Sequence, residues 1–284
     1  MKYFSFHTHS HFCDGKAHMS EVCKKAAELG LSALGFSSHA PVPFSTKWAM
    51  KFEDAIEYRK AIAHYKDEYK NQLDIYAALE ADYIPLGKSI NYDIWRQMLE
   101  LDYIIGSVHL VMNPEFPDDL WFLDGPSENY EIGINECFGG DVKKAVRQYY
   151  HQIQEMVRTQ KPDVIAHMDK VIMNNKGRFF REEDKWYQEL VEQTLQVIAD
   201  SNTIIEVNTR GIYRGKYHTF FPNEKIIKRC VELDIPLTIS VDAHHPDELK
   251  KEFDHAVNVI KDQGGNSILY FNQGQWEQLP IDGV

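Results

Sequence analysis

The sequence predicts an α/β fold, in which a parallel sheet is built from strands that alternate with helices. Short apolar runs of strand length alternate along the chain with longer segments of helical periodicity, which is typical of β-α-β units. The chain has 284 residues, of which 43% are hydrophobic, so it can bury a sizeable core. Because α/β barrels of this length commonly form one domain, we expect a single domain over residues 1–284.

Seven strands are predicted in chain order, and a helix follows most of them. The predicted strands, each a short apolar run, are residues 3–8, 33–38, 75–79, 103–108, 164–167, 204–207 and 236–241. The predicted helices are residues 20–29, 53–70, 142–160, 182–199, 224–233 and 246–263. For the first helix, Ser20 has the properties of an N-cap and Gly30 those of a C-cap.

Residues 112–141 interrupt this alternation. The stretch contains three prolines, four glycines and several aromatic residues that we expect to be exposed. A loop of this length inside a compact domain is usually functional or disordered. We expect it to be a loop insertion that caps one end of the barrel.

Charge and composition limit the partners. The net charge of −12 disfavours a nucleic-acid partner, which would require a basic surface. A phosphorylated substrate remains compatible, because bound cations can reverse the local field. The four cysteines include no CxxC pair, which favours a reducing cytoplasm. No apolar run reaches the roughly 18 residues of a membrane span, so we expect a cytoplasmic protein with no membrane partner. The oligomeric state is left open.

Histidines and carboxylates follow the carboxyl ends of six predicted strands. The first strand ends in His7 and His9, and the last in Asp242 and His244. Residues i and i+2 of a strand point the same way, and the strands of a parallel barrel end on one face, where active sites lie. Imidazole and carboxylate are preferred ligands of Zn, Mn and Fe, so the pattern predicts a metal centre. The strands between the first and the last supply His39, Glu80, His109 and His167.

A structural role is the alternative for any one of these residues. A single histidine near a strand end is more often hydrogen-bonded than bound to a metal, and a lone HxH or DxH pattern is weak. Eight such residues at six strand ends make the metal centre much the stronger interpretation.

Seven motifs follow one another along the chain, and they are, in order, HTHSHFCDG, SSHAP, LEADYIP, SVH, AHMD, EVNTRGIYR and SVDAHHP. With these motifs the chain resembles the PHP (polymerase and histidinol phosphatase) superfamily between Phe6 and about Pro246. The resemblance implies a distorted (β/α)7 barrel with its metal site at the C-terminal ends of the strands. It also implies a phosphomonoesterase, with L-histidinol phosphate as the expected substrate.

The resemblance further implies two to three divalent transition-metal ions (Zn, Mn or Fe). Glu80 would bridge two of them, and Glu80, Asp242 and His244 would serve catalysis as residues of the metal site. Asp14, His11 or His18 would complete the third site, and the general acid is left open. The implied ligand sets are His7, His9, Glu80 and Asp242 for the first ion, Glu80, His109 and His167 for the second, and Asp14, His39 and His244 for the third.

The small phosphate ester also needs cationic groups, and arginine offers a planar, bidentate donor. Arg210 follows the sixth predicted strand and resembles a phosphate-binding arginine of some family members. Further candidates for substrate binding are Arg214, Arg178 and Lys170. Acidic side chains of the insertion could favour the positive end of an amino-alcohol phosphate. These side chains are Glu115, Asp118, Asp119 and Asp124.

Other functions remain open at this stage. One is a PHP phosphoesterase of another specificity, acting on nucleotides, sugar phosphates or phosphotyrosine. Another is a metal-binding module without activity. The exonuclease-like PHP module of bacterial DNA polymerases is disfavoured because this chain is acidic. The sequence contains neither a GxxxxGK[ST] loop nor a GxSxG motif, so kinase-type and serine-hydrolase chemistry lack support.

Overall fold

Strands and helices alternate along most of the chain in a computed structural model that describes residues 2–281. Short 3₁₀ turns occur at Phe52–Asp54, Lys170–Ile172 and Pro246–Glu248. In chain order the elements are β1 (Phe4–Ser5), α1 (Met19–Glu28), β2 (Ala33–Phe36), α2 (Ala55–Glu68), β3 (Asp74–Asp82), α3 (Tyr92–Leu99), β4 (Tyr103–Ser107), β5 (Leu110–Asn113), β6 (Phe116–Phe122), α4 (Ser127–Phe138), α5 (Val142–Gln160), β7 (Val164–Ile165), α6 (Lys185–Ala199), β8 (Ile204–Asn208), α7 (Arg210–Tyr213), α8 (Glu224–Glu232), β9 (Leu237–Ser240), α9 (Phe253–Asp262), β10 (Ser267–Asn272) and β11 (Gln275–Pro280).

Seven strands form a parallel sheet in the order β1-β2-β3-β4-β7-β8-β9. The two outer strands meet beyond their ends, where Thr8 and Ala243 form a parallel bridge. The His9 amide donates to the Ala243 carbonyl at 2.8 Å, and the Ala243 amide donates to the His7 carbonyl at 3.1 Å. The sheet is therefore a nearly closed barrel, which confirms the predicted fold class.

The barrel strands are buried on both faces, as expected when helices cover a parallel sheet. Every residue of β2 and β9 is buried. Helix α5 shows how the sequence produces the covering layer. Its buried residues recur every three or four positions and include Tyr149, Ile153 and Met156. The Asp141 side chain caps this helix by accepting a hydrogen bond from the Lys144 amide at 3.0 Å.

Two of the predicted helices require correction, one at its first residue and the other in its middle. Ser20 lies inside α1, and the N-cap is His18, whose side chain accepts a hydrogen bond from the Ser20 amide. Gly30 follows the end of this helix with a positive φ of 70°, the conformation in which glycine ends a helix without strain. The helix predicted at residues 246–263 is divided, because Glu252 adopts a positive φ of 60° between the 3₁₀ turn and α9.

Residues 112–141 are ordered, which differs from the expected loop. The segment contains most of the hairpin of β5 and β6 and the whole of α4. Trp121 and Tyr130 are fully buried, with ring centroids 4.8 Å apart, and the indole of Trp121 donates to the Tyr130 carbonyl at 3.1 Å. The aromatic residues of the segment thus join the main hydrophobic core of the protein. The single-domain prediction for residues 1–284 includes positions outside the described residues and stays a prediction.

A second hairpin, formed by β10 and β11, packs near the beginnings of the barrel strands. The Phe271 ring lies 4.9 Å from that of Tyr76, and the Trp276 ring lies 5.5 Å from that of Tyr103. This hairpin occupies the amino end of the barrel and leaves the carboxyl end to the site described below. Within residues 2–281, no helix is both long enough and apolar enough to cross a membrane.

Candidate metal centre

The structure brings all nine sequence-predicted ligands to the carboxyl end of the barrel. Seven of them are buried, and the other two, Asp14 and His244, are partly exposed. Glu80 lies within β3, and the others lie in the segments that follow the barrel strands. The nine residues are His7, His9, Asp14, His39, Glu80, His109, His167, Asp242 and His244.

One oxygen of Glu80 faces three histidines. Glu80 Oε2 lies 3.1 Å from His7 Nε2, 3.4 Å from His9 Nε2 and 3.0 Å from His39 Nδ1. Asp242 Oδ1 belongs to the same group, 3.4 Å from His9 Nε2 and 3.9 Å from His7 Nε2. Two carboxylates and three imidazoles thus surround one small volume.

The other oxygen of Glu80 faces a second set of groups. Glu80 Oε1 lies 3.1 Å from His167 Nε2 and 3.5 Å from His109 Nε2. The two oxygens of one carboxylate therefore point to two different sets of imidazoles. This is the geometry of a carboxylate that can bridge two cations.

Asp14 belongs to the cluster, whereas the alternative residues His11 and His18 do not. Asp14 Oδ1 lies 3.3 Å from His244 Nε2 and 3.8 Å from His39 Nε2. The rings of His11 and His18 lie 4.2 Å from each other, and the His18 side chain caps α1. The geometry therefore favours Asp14 for the third set.

Three groups of side chains have ligand atoms within 4.8 Å of one another among the described residues. His9 and His39 each occur in two groups, and His167 occurs in none, so the grouping differs in part from the predicted sets. The assignment of ligands to separate cations stays a prediction. The groups are His7, His9 and Asp242; His39, Glu80 and His109; and His9, Asp14, His39 and His244.

Several buried atoms of the cluster lack a hydrogen-bond partner among residues 2–281. They include His7 Nε2, His9 Nε2, His39 Nδ1 and Asp14 Oδ1. Buried polar atoms without a partner are costly and rare in native proteins. A cation bound between them would satisfy these atoms, so the donor set fits a divalent metal.

The electrostatics of the cluster also suit a cation. Burial raises the pKa of Glu80, but His39, His7 and His109 together hold that pKa well below its ordinary value. Asp242 behaves similarly, since its pKa is lowered by His7 and Arg210 against the effect of burial. Both carboxylates are therefore ionised at neutral pH, as metal ligands must be.

Two buried carboxylates beside the cluster were missed from the sequence. Glu206 Oε2 lies 2.8 Å from His7 Nδ1, and Asp82 Oδ2 lies 3.0 Å from His109 Nδ1. A signal existed for each of them: Asp82 is two residues beyond Glu80 on the same strand face, and Glu206 is an isolated charge in an apolar strand. Carboxylates in such positions orient histidine ligands of metals.

A cavity of about 280 Å³ opens above the cluster. Of the four predicted substrate-binding residues, Arg210 and Lys170 line the cavity, and Arg214 and Arg178 do not. Lys216, which was missed, lines it too and lies in the same segment as Arg210. The apolar part of the wall consists of Trp48, Leu110 and Phe122.

Arg210 is held in place by groups at the rim of the cluster. Its Nη1 donates to the Asp242 carbonyl at 2.8 Å and to the Tyr213 hydroxyl at 3.1 Å, and lies 3.3 Å from Glu248 Oε2. Arg214 pairs with the other oxygen of Glu248 at 3.3 Å, but half of its side chain is exposed. Arg178 instead donates to backbone carbonyls, one of them Asn174 at 2.9 Å.

The acidic residues of the insertion do not gather at the cavity. Glu115 pairs with Lys144 at 2.7 Å and Asp118 pairs with Lys88 at 2.8 Å, both with exposed carboxylates. Asp124 is the only one of the four predicted acids that lines the cavity, and it lies 3.0 Å from Lys170 Nζ. The expected electrostatic effect of the insertion is thereby reduced to one carboxylate, which already has a cationic partner.

A parallel barrel with buried imidazoles and carboxylates gathered at its carboxyl end is the architecture of a metal-dependent hydrolase. Residues 5–210 match the model of the PHP domain family. Because this match covers more than half of the chain, the protein belongs to the PHP domain family.

Two named relatives and one solved structure extend this assignment. The chain is 29% identical over 252 residues to the "Probable histidinol-phosphatase" of Deinococcus radiodurans, covering 88% of this chain and 89% of the relative. It is 24% identical over 252 residues to the histidinol-phosphatase of Bacillus subtilis, covering 84% and 92% of the two chains. The structure of histidinol phosphate phosphatase from Lactococcus lactis, complexed with zinc, L-histidinol and phosphate, has a TM-score of 0.67. It is 19% identical, and the match covers 97% of this chain and 99% of that one, so the likeness shows a shared fold.

Proposed function

We propose that this protein is a histidinol-phosphate phosphatase, which hydrolyses L-histidinol phosphate to L-histidinol and inorganic phosphate. The observation that carries the proposal is the position of Glu80, whose two oxygens face two sets of imidazoles beneath a cavity lined by Arg210 and Lys170. The names of the relatives from D. radiodurans and B. subtilis support this choice of substrate.

Two or three divalent cations of the Zn, Mn or Fe type would be held by the nine clustered residues. Such cations lower the pKa of a bound water and stabilise the charge on the phosphoryl oxygens. The L. lactis structure contains zinc, which makes zinc the first metal to test.

The side chains of the cavity would bind and orient the substrate. Arg210, Lys170 and Lys216 present cationic groups to the cavity, where they can bind phosphate oxygens. Trp48 and Phe122 are aromatic residues of the apolar wall, which suits a planar ring such as imidazole. The volume of about 280 Å³ suits a small ester better than a protein or a nucleic acid.

The test is a comparison of kcat/KM for L-histidinol phosphate, nucleotides, sugar phosphates and phosphotyrosine peptides, with the metal content measured on the same samples. We expect L-histidinol phosphate to be the best substrate and a strong chelator to abolish the activity. If another phosphate monoester has a tenfold higher kcat/KM, the proposed substrate is wrong. Full activity in chelator with no metal in the protein would exclude the metal mechanism as well.

The affinity for zinc should increase between pH 7 and pH 9. Burial lowers the pKa of His109, but Asp82 and Glu80 raise it to about 9. In the metal-free protein at pH 7, the His109 imidazole therefore carries protons on both ring nitrogens. The cation must displace one of these protons, and affinity therefore rises with pH by about tenfold per unit for each proton displaced, until the pH exceeds the pKa.

Competition with a chelator of known pH dependence at pH 6, 7, 8 and 9 measures this effect. Asp82→Asn removes the carboxylate that raises the pKa of His109, so the zinc affinity of this variant should depend less on pH. Equal affinity at all four pH values in the wild-type protein would contradict the prediction.

A further inference from the structure

Glu206 is a buried carboxylate that accepts hydrogen bonds on both of its oxygens. Oε1 accepts from the His167 amide at 3.0 Å and from Asn208 Nδ2 at 2.7 Å. Oε2 lies 2.8 Å from His7 Nδ1. Since a backbone amide and a side-chain NH₂ can only donate here, the orientation of the Glu206 side chain is determined by the fold.

Asn208 extends the contacts of Glu206 across the cluster. Its Nδ2 also donates to Asp242 Oδ2 at 3.2 Å, and its Oδ1 accepts from the Arg210 amide at 3.0 Å. Glu206 and Asn208 are two residues apart on β8 and both are fully buried. One pair of side chains on one strand thus contacts His7, Asp242 and the backbone of Arg210.

We infer that Glu206 and Asn208 are positioning residues that orient His7 and Asp242 toward a cation. Glu206 holds His7 with a proton on Nδ1, so that the lone pair of Nε2 points into the cluster and binds the cation. Asn208 holds the Asp242 carboxylate in the same direction. The inference rests on the proposed function only in taking His7 and Asp242 as metal ligands.

The chemistry of the substitution Glu206→Gln makes the inference testable. A glutamine has one acceptor and one NH₂ group, and the two donors at the Oε1 position require the acceptor. The NH₂ group must then face His7 Nδ1, which becomes an acceptor and transfers the proton to Nε2. A protonated Nε2 has no lone pair for a cation, so a side chain of nearly the same shape should still impair metal binding.

The experiment measures zinc affinity by competition with a chelator, starting from metal-free protein and without substrate. We expect Glu206→Gln to weaken the tightest zinc site by about 10- to 100-fold, the usual effect of losing such a carboxylate. Asn208→Ala should weaken it in the same direction. Glu206→Asp keeps a carboxylate and should bind zinc more tightly than Glu206→Gln, even if its folding stability is lower.

Asp163→Asn is the matched control. Asp163 accepts a hydrogen bond from the Ile104 amide at 2.7 Å and pairs with Arg96 at 2.8 Å, near the amino ends of β4 and β7. This control should bind zinc as the wild-type protein does. The inference is overturned if Glu206→Gln binds zinc within threefold of the control, or if Gln and Asp at position 206 are equally impaired. Failure of the wild-type protein to hydrolyse L-histidinol phosphate would overturn the proposed function and leave this measurement intact.

Discussion

Glu80→Ala is expected to lose more than one equivalent of bound metal and to reduce kcat/KM by at least about 1,000-fold, roughly 4 kcal/mol of transition-state stabilisation. The two oxygens of Glu80 face separate sets of imidazoles, at 3.0 Å from His39 Nδ1 and 3.1 Å from His167 Nε2. Removing the side chain therefore takes a ligand from two positions at once. It also removes the carboxylate that pairs with the buried His167 imidazole at 3.1 Å.

Elemental analysis of the purified variants, together with phosphate-release kinetics, checks this expectation. His244→Ala is the matched control, because an imidazole offers one ligand nitrogen to a cation, whereas the two oxygens of Glu80 face different sets of imidazoles. This variant should lose at most one equivalent of metal and should retain more activity than Glu80→Ala. A Glu80→Ala protein with wild-type metal content, or with the activity of His244→Ala, would show that Glu80 is not a bridging ligand.

Arg210→Ala is expected to raise KM and to lower kcat/KM by roughly 10- to 1,000-fold, the loss of about 1.5–4 kcal/mol that a charge-assisted pair with phosphate represents. The guanidinium lines the cavity, and its hydrogen bond to the Asp242 carbonyl places it beside the cluster of predicted ligands. Because this contact involves a backbone oxygen, the metal content should not change. The kcat/KM of Arg210→Lys should lie between those of the wild-type protein and Arg210→Ala, since an ammonium keeps the charge but lacks the planar arrangement of two donors.

The chain provides a close control in Arg214. This residue pairs with the same Glu248 as Arg210 but lies outside the lining of the cavity. Arg214→Ala should therefore have nearly wild-type kinetics in the same phosphate-release assay. If the two alanine variants behave alike, Arg210 does not bind the phosphate, and Lys170 or Lys216 becomes the candidate.

The sequence analysis located those parts of the fold and site that are encoded by local patterns of apolar and polar residues. Each barrel strand is a short apolar run, and eight of the nine expected ligands lie in or directly after such a run, so position along the chain was enough to locate these eight. Asp14 was located by the resemblance to the PHP family. Glu206 and Asp82 were missed because their roles depend on distances across the barrel: Glu206 lies 199 positions from its partner His7. The secondary structure of the 112–141 segment was missed because it depends on the packing of Trp121 against Tyr130 and Phe138, at ring-centroid distances of 4.8 and 5.9 Å, which no periodic pattern in the sequence indicates.

The position of the bridge between Thr8 and Ala243 means that a cation bound at the predicted site would also stabilise the closure of the barrel. Within the described backbone, this short seam is where the first and last barrel strands join. His7 and His9 lie on one side of it, and Asp242 and His244 lie on the other. A cation bound by residues on both sides would hold the two strands together. At a free concentration 100 times its dissociation constant, it would add about 2.7 kcal/mol to the stability of the closed barrel. Metal depletion would therefore destabilise the junction of the first and last strands as well as stop the reaction. The stability of the fold would then depend on the metal concentration.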